Sequence, residues 1–131
     1  MSHLTEAQIR HCRQKLEARR RELLAEIRSE LQRSEEESYV ELAGRVHDEA
    51  EEAVADLLAD MNLGFIARQI EELREVEAAL ARIEGGEYGV CTDCGGEIEP
   101  GRLEVQPAAV RCIECQAAWE RTHATAGQHS L

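Results

Sequence analysis

The sequence predicts a mainly α chain: a long antiparallel helical hairpin of coiled-coil type, ending in a small C-terminal module tied by four cysteines and a short terminal helix. Three observations carry this. Two Cys-x-x-Cys pairs lie near the C-terminus, apolar residues keep a helical period on either side of a weak central stretch, and the composition is 32% charged but only 3% aromatic. Such a composition suits exposed helices rather than a large compact core. The 131 residues divide into a hairpin over 1–86 with an acidic tip near 38–53, a metal module over 87–124 and a flexible tail over 125–131.

The first helix is expected from about Thr5 to about Glu37. Thr5 followed by Gln8 is a capping-box pattern, and Ile9, Cys12, Leu16, Leu23, Ile27 and Leu31 recur on one helix face. Cys12 lies on that stripe and reads as a small buried apolar residue rather than a ligand. From Ser38 to His47 the period is poor, and Gly44 offers a turn. The pattern resumes in a second helix, from about Glu49 to Glu84, with Val54, Leu58, Met61 and Phe65. After a one-residue slip it continues with Ile66, Ile70, Leu73, Val76, Leu80 and Ile83. That slip, beside Gly64, points to a local change of winding or a close helix approach. Gly85-Gly86 ends the helix. At 1.5 Å per residue the second helix would be about 54 Å long, and two such helices pack antiparallel, which puts the link at the far end of a rod.

Beyond the hairpin, Cys91 and Cys94 are followed, after seventeen intervening residues, by Cys112 and Cys115. A Cys-x-x-Cys pair lets two sulfurs reach one metal across a tight turn, and a second pair closes the tetrahedron that zinc accepts. Gly95 and Gly96 supply turn chemistry behind the first pair. A redox dithiol would come once, within a βαβ pattern that is lacking here. Two disulfides would leave a fifth cysteine over, and Met1 to Gln8 has no apolar core of a signal peptide. One structural Zn²⁺ ion is therefore the expected cofactor. Some thirty residues with one Trp and one Tyr would not hold a fold without it.

The net charge of -12 is unevenly spread. From Glu35 to Asp60 ten acids (Glu35, Glu36, Glu37, Glu41, Asp48, Glu49, Glu51, Glu52, Asp56, Asp60) face one base, Arg45, whereas Arg10, Arg13, Lys15, Arg19, Arg20 and Arg21 face only Glu17 over residues 10 to 21. Phosphate backbones repel such a molecule, so direct DNA binding is not expected, and a basic groove on a protein is the better partner. No apolar run approaches membrane-spanning length. A soluble, cytoplasmic monomer with reduced thiols is expected. At the tip, Asp48 is placed to cap the second helix, and Glu49, Glu51 and Glu52 suit its positive end. Capping does not account for Glu35, Glu36, Glu37 and Glu41, which crowd like charges on the approach. His47, beside Asp48, reads as a solvated turn residue. No Ser/His/Asp set or phosphate loop is present, so no enzyme is expected.

The stretch EYGVCTDCGGEIEPGRLEVQPAAVRCIEC resembles the zinc module of the DksA/TraR family. The likeness lies in the glycine and tyrosine leading into the first cysteine, the run from Arg102 to Glu104, and Pro107 five residues before the third cysteine. It extends through the helical hairpin, from about Ile9 to Trp119. The resemblance implies a transcription regulator that binds RNA polymerase and passes its coiled-coil tip through the secondary channel to alter promoter-complex lifetimes. The family's tip motif, D-x-x-D-x-A, falls on Asp48, Glu51 and Ala53, with Glu in place of the second Asp. Members that respond to guanosine tetraphosphate use basic side chains at places that fall here on Glu75, Gln106 and Gln116. These cannot neutralise a polyanion, so weak or no alarmone dependence is expected. The alternative is a zinc-stabilised coiled-coil adaptor docking on another basic protein surface.

Overall fold

The structure, a computed structural model, describes residues 3–33, 37–44, 46, 53–61 and 63–128. Helix α1 spans Glu6–Arg33, α2 Glu37–Ala43, α3 Ala55–Asp60, α4 Ala67–Gly85, α5 Pro100–Val105 and α6 Ile113–Gln128, with a 3-10 turn at Gly64–Ile66. Among the described residues there is no strand longer than the single antiparallel bridge between Val90 and Glu97. None of their helices is long and apolar enough to cross a membrane.

The capping box forms as expected. The Thr5 amide donates to Gln8 Oε1 at 2.8 Å and the Gln8 amide to Thr5 Oγ1 at 3.0 Å, satisfying two amides that the first turn leaves open. Helix α1 buries Cys12, Leu16, Leu23, Leu24, Ile27 and Leu31, and packs on α4, which buries Ile70, Leu73, Val76, Ala79 and Ile83, as well as on α2. The antiparallel pair of α1 and α4 is the stalk. Gly86 closes α4 with φ 77°, a left-handed conformation that glycine adopts without a Cβ clash, and the Glu87 amide reaches back to the Arg82 carbonyl at 2.9 Å.

The second limb departs from the expected unbroken helix over Glu49–Glu84. Helix α3 stops at Asp60, and the chain turns through Leu63 and the 3-10 turn before α4 begins. The slip in the apolar pattern explains the break. One extra residue rotates the stripe by about 100°, so a straight helix cannot keep the residues before and after it on one face. Breaking the helix buries Leu58, Leu63 and Ile66 together, and leaves Met61 and Phe65, assigned to the stripe from sequence, 44% and 49% exposed.

Residues on both sides of the central stretch fold back along the stalk. The Tyr39 ring lies 5.6 Å from that of Phe65, yet the Val46 carbonyl accepts from the Arg28 guanidinium at 3.5 Å, so α2 runs back along α1. Helix α3 packs on α4, and Leu42, Ala43, Val46, Ala55 and Leu58 join one continuous core with the stalk. At the opposite end α6, expected to be short, continues through Gln128.

Candidate metal centre and the groove beside it

The metal module is built on two turns held side by side. In the first, the Cys91 amide donates to the Gly96 carbonyl at 2.8 Å and the Gly95 amide to the Cys91 carbonyl at 3.0 Å, with Gly95 at φ 74°. The Gly96 amide points at Cys94 Sγ, 3.3 Å away, and the Cys115 amide at Cys112 Sγ, 3.5 Å away. Thr92 ties the two turns, its amide donating to the Val110 carbonyl at 2.8 Å and its hydroxyl at 3.2 Å. Arg111 adds a bond to Asp93 at 2.9 Å and lays its guanidinium over the Trp119 ring, 5.0 Å from the centroid.

These turns bring Cys91, Cys94, Cys112 and Cys115 together, all four sulfurs within 4.8 Å of one another. Sulfurs about 2.3 Å from a shared zinc stand roughly 3.8 Å apart in a tetrahedron, so the set fits one ion with all four positions filled. Burial raises the Cys91 thiol, but the amides of Cys94, Cys112 and Asp93 outweigh it and bring it down to about 6. Hydrogen bonds to Cys112 and Cys91 push the Cys115 thiol up instead. A zinc ion bound by these four sulfurs would displace their thiol protons. Cys12 stands apart, its Sγ 3.8 Å from the Leu103 carbonyl, as its place on the stripe predicts.

The base of the stalk clamps this module. Leu4 is buried over Gly89, His3 donates to the Ile98 carbonyl at 2.7 Å, and Lys15 and His11 both reach Glu104. Between α1, α4, α5 and the start of α6 runs a groove of about 820 Å³. Glu75, Gln106 and Gln116 all line it, so the three places that the resemblance relates to the alarmone do converge, without a cation at any of them. Five cations line the groove elsewhere, and each is engaged. Lys15 meets Glu104, Arg19 meets Glu72, Arg74 meets Asp56, Arg102 donates to the Arg111 carbonyl, and Arg111 meets Asp93.

At the tip, Asp48 and Glu51 lie outside the described residues, as does His47. Ala53 is described and exposed, immediately ahead of α3. It does not stand at the far end of a rod, because its neighbour Val54 is bonded to Glu77, well down α4. The helix start predicted at Asp48 also lies outside the described residues, and the described start of α3 is at Ala55. Val54 there has no capping side chain, and Glu77 supplies the acceptor from across the fold. No sequence signal marks that contact, because its partners belong to separate elements.

Residues 86–121 match the family model of the prokaryotic dksA/traR C4-type zinc finger. Over 121 residues the chain is 34% identical to the RNA polymerase-binding transcription factor DksA of Caulobacter vibrioides (strain NA1000 / CB15N), covering 90% of this chain and 80% of that protein. Its identity to the protein of the same name from Escherichia coli (strain K12) is 30% over 118 residues, covering 90% and 75%. The solved structure of transcription factor DksA2 from Pseudomonas aeruginosa superposes with a TM-score of 0.61 at 28% identity, covering 93% of this chain and 90% of that one. With a helical stalk, a four-cysteine module at its base and this extent of alignment, the chain belongs to the DksA/TraR family.

Proposed function

We propose that the chain is a cytoplasmic transcription regulator that binds RNA polymerase and catalyses no reaction of its own. Its acidic tip, Asp48, Glu51 and Ala53, enters the secondary channel and changes the stability of promoter complexes. A single structural zinc ion on Cys91, Cys94, Cys112 and Cys115 fixes the module against the stalk. The observation that supports this most is the alignment, over 90% of the chain, with relatives named as RNA polymerase-binding transcription factors. The net charge of -12 opposes direct DNA binding and favours a basic protein surface. The regulator acts with little or no help from guanosine tetraphosphate, a reading supported by Glu75, Gln106 and Gln116 in the groove and by the engagement of its five cations.

Purified polymerase should retain the purified protein. Asp48→Asn combined with Glu51→Gln should leave helicity, melting temperature and that binding intact while abolishing the effect on transcription, since Asn caps a helix about as well as Asp. Unchanged transcription would make the tip structural. Failure to bind polymerase at all would turn the reading towards an adaptor for another basic protein. Adding guanosine tetraphosphate to the same promoter assay tests the last clause, and strong synergy would contradict it.

A further inference from the structure

One carboxylate joins three elements. Glu77 Oε2 on α4 accepts from Arg20 Nε at 3.1 Å and from its terminal nitrogen at 3.0 Å on α1, and also from the Val54 amide at 3.1 Å; Oε1 accepts from the Ala55 amide at 3.0 Å. The Arg20 and Glu77 side chains are 13% and 10% exposed, so water competes little for these bonds. Arg20 lies fourteen residues into α1, roughly 21 Å from its start, while Arg33 at the helix end is about 40 Å away. The start of α3, with Ala53 just ahead of it, is thus held near the middle of the stalk.

The apolar pattern allows this segment two packings. The folded-back one buries Leu58, Leu63 and Ile66 but exposes Leu57, Met61 and Phe65. An extended second helix that absorbs the extra residue in a local change of winding would set Val54, Leu58, Met61 and Phe65 on one stripe facing α1. Each leaves apolar surface that the other covers, so a polar contact made in only one of them can decide between them.

We propose that Glu77, braced by Arg20, is a positioning residue that holds Ala53 and the head of α3 at mid-stalk, and that this clasp opens before the tip can lead the hairpin. The consequence for polymerase rests on the function proposed above; the clasp itself does not.

The test is a spin-label distance between Glu6→Cys and Ala53→Cys in full-length, zinc-loaded protein carrying Cys12→Ser. The wild-type clasp should give a distance near 20–25 Å, whereas Glu77→Ala should shift population to about 50 Å, the span of a straight hairpin at 1.5 Å per residue. The charge-swapped pair Arg20→Glu with Glu77→Arg separates clasp from stalk stability. It rebuilds the ion pair between α1 and α4, but arginine accepts no hydrogen bond from the Val54 and Ala55 amides. Stability should recover while the distance stays long. A second reading comes from hydrogen exchange in the unsubstituted protein, where the Val54 and Ala55 amides should be protected. A long distance in the clasped protein, an unmoved distance in both variants, or unprotected amides would overturn the proposal. These measurements contain no polymerase, so a failure to bind polymerase would count against the function and leave the clasp standing.

Discussion

The Tyr88 hydroxyl donates to the Pro107 carbonyl at 2.7 Å, joining the entry of the metal module to the loop ahead of its second cysteine pair. The ring is only 5% exposed, and burial pushes the phenol above its usual range, so it remains a donor across neutral pH. Tyr88→Phe would leave the proline carbonyl short of a partner at nearly constant volume. The expected cost is about 1–2 kcal/mol, read from denaturant unfolding of the zinc-loaded protein, with metal content unchanged at one ion per chain. A neutral substitution would mean that water takes the place of the hydroxyl.

Tyr88 and Pro107 also mark what was legible in the sequence. The metal module is written in short spacings, because four sulfurs on one ion leave little freedom in the turns that carry them. The start of α1 at Thr5 and the end of α4 at Gly86 were legible for the same reason, each set by local backbone chemistry. The pattern slip beside Gly64 announced a change of winding but not its size, since a bend and a full reversal both bury apolar residues. The reversal shows only in three dimensions. Arg20 and Glu77 are 57 positions apart and Glu77 and Val54 are 23 apart, and no period or spacing links them.

Removing zinc should separate module from stalk. Tyr88, Cys91, Ile98 and Leu103 are the module's buried apolar residues, too few to hold it once the sulfurs repel or reprotonate. The stalk core continues into the module through Leu4, Cys12 and Leu103, but none of the four candidate ligands comes from the stalk. A strong chelator, or Cys112→Ser, should therefore abolish exchange protection over residues 88–115 while most of the far-ultraviolet helical signal survives. Loss of all helicity in one step would show instead that the clamp made by Leu4, His3 and Lys15 unites them in a single cooperative unit.

Glu75 gives a pH dependence of known sign. Burial raises its pKa above the ordinary 4.5, and the neighbouring Glu71 and Glu72 carboxylates raise it further. An acid that binds its proton more tightly when folded destabilises the protein once it ionises, so its cost is absent below about pH 4.5 and complete above its folded pKa. Glu72 runs the other way. Its hydrogen bond from Arg19 lowers its pKa despite burial, and that contribution is lost as pH falls below 4.5. Glu75→Gln should accordingly leave stability nearly unchanged at pH 4 and raise it at pH 7. The gain should be about a few tenths of a kcal/mol, because the side chain is only partly buried and water screens its charge. Melting curves of the two proteins at both pH values check this, and equal differences at pH 4 and 7 would refute it.

Gly89 tests how the chain's first residues hold the module. Its φ is 91°, and a Cβ there would stand 2.8 Å from Leu4 Cδ1 and 3.2 Å from His3 Cε1. Gly89→Ala thus meets two penalties, a left-handed backbone costing an L-residue about 1–2 kcal/mol, and displacement of a buried leucine. Gly86, at φ 77° with open space around it, meets only the first. Gly89→Ala should therefore be the more destabilising of the two, and Leu4→Ala should remove the excess, so that the double variant costs less than the sum of its parts. Denaturant unfolding of the three single variants and the pair measures that coupling. Strict additivity would mean that Leu4 moves aside freely, and that the bond from His3 to the Ile98 carbonyl carries the clamp without it.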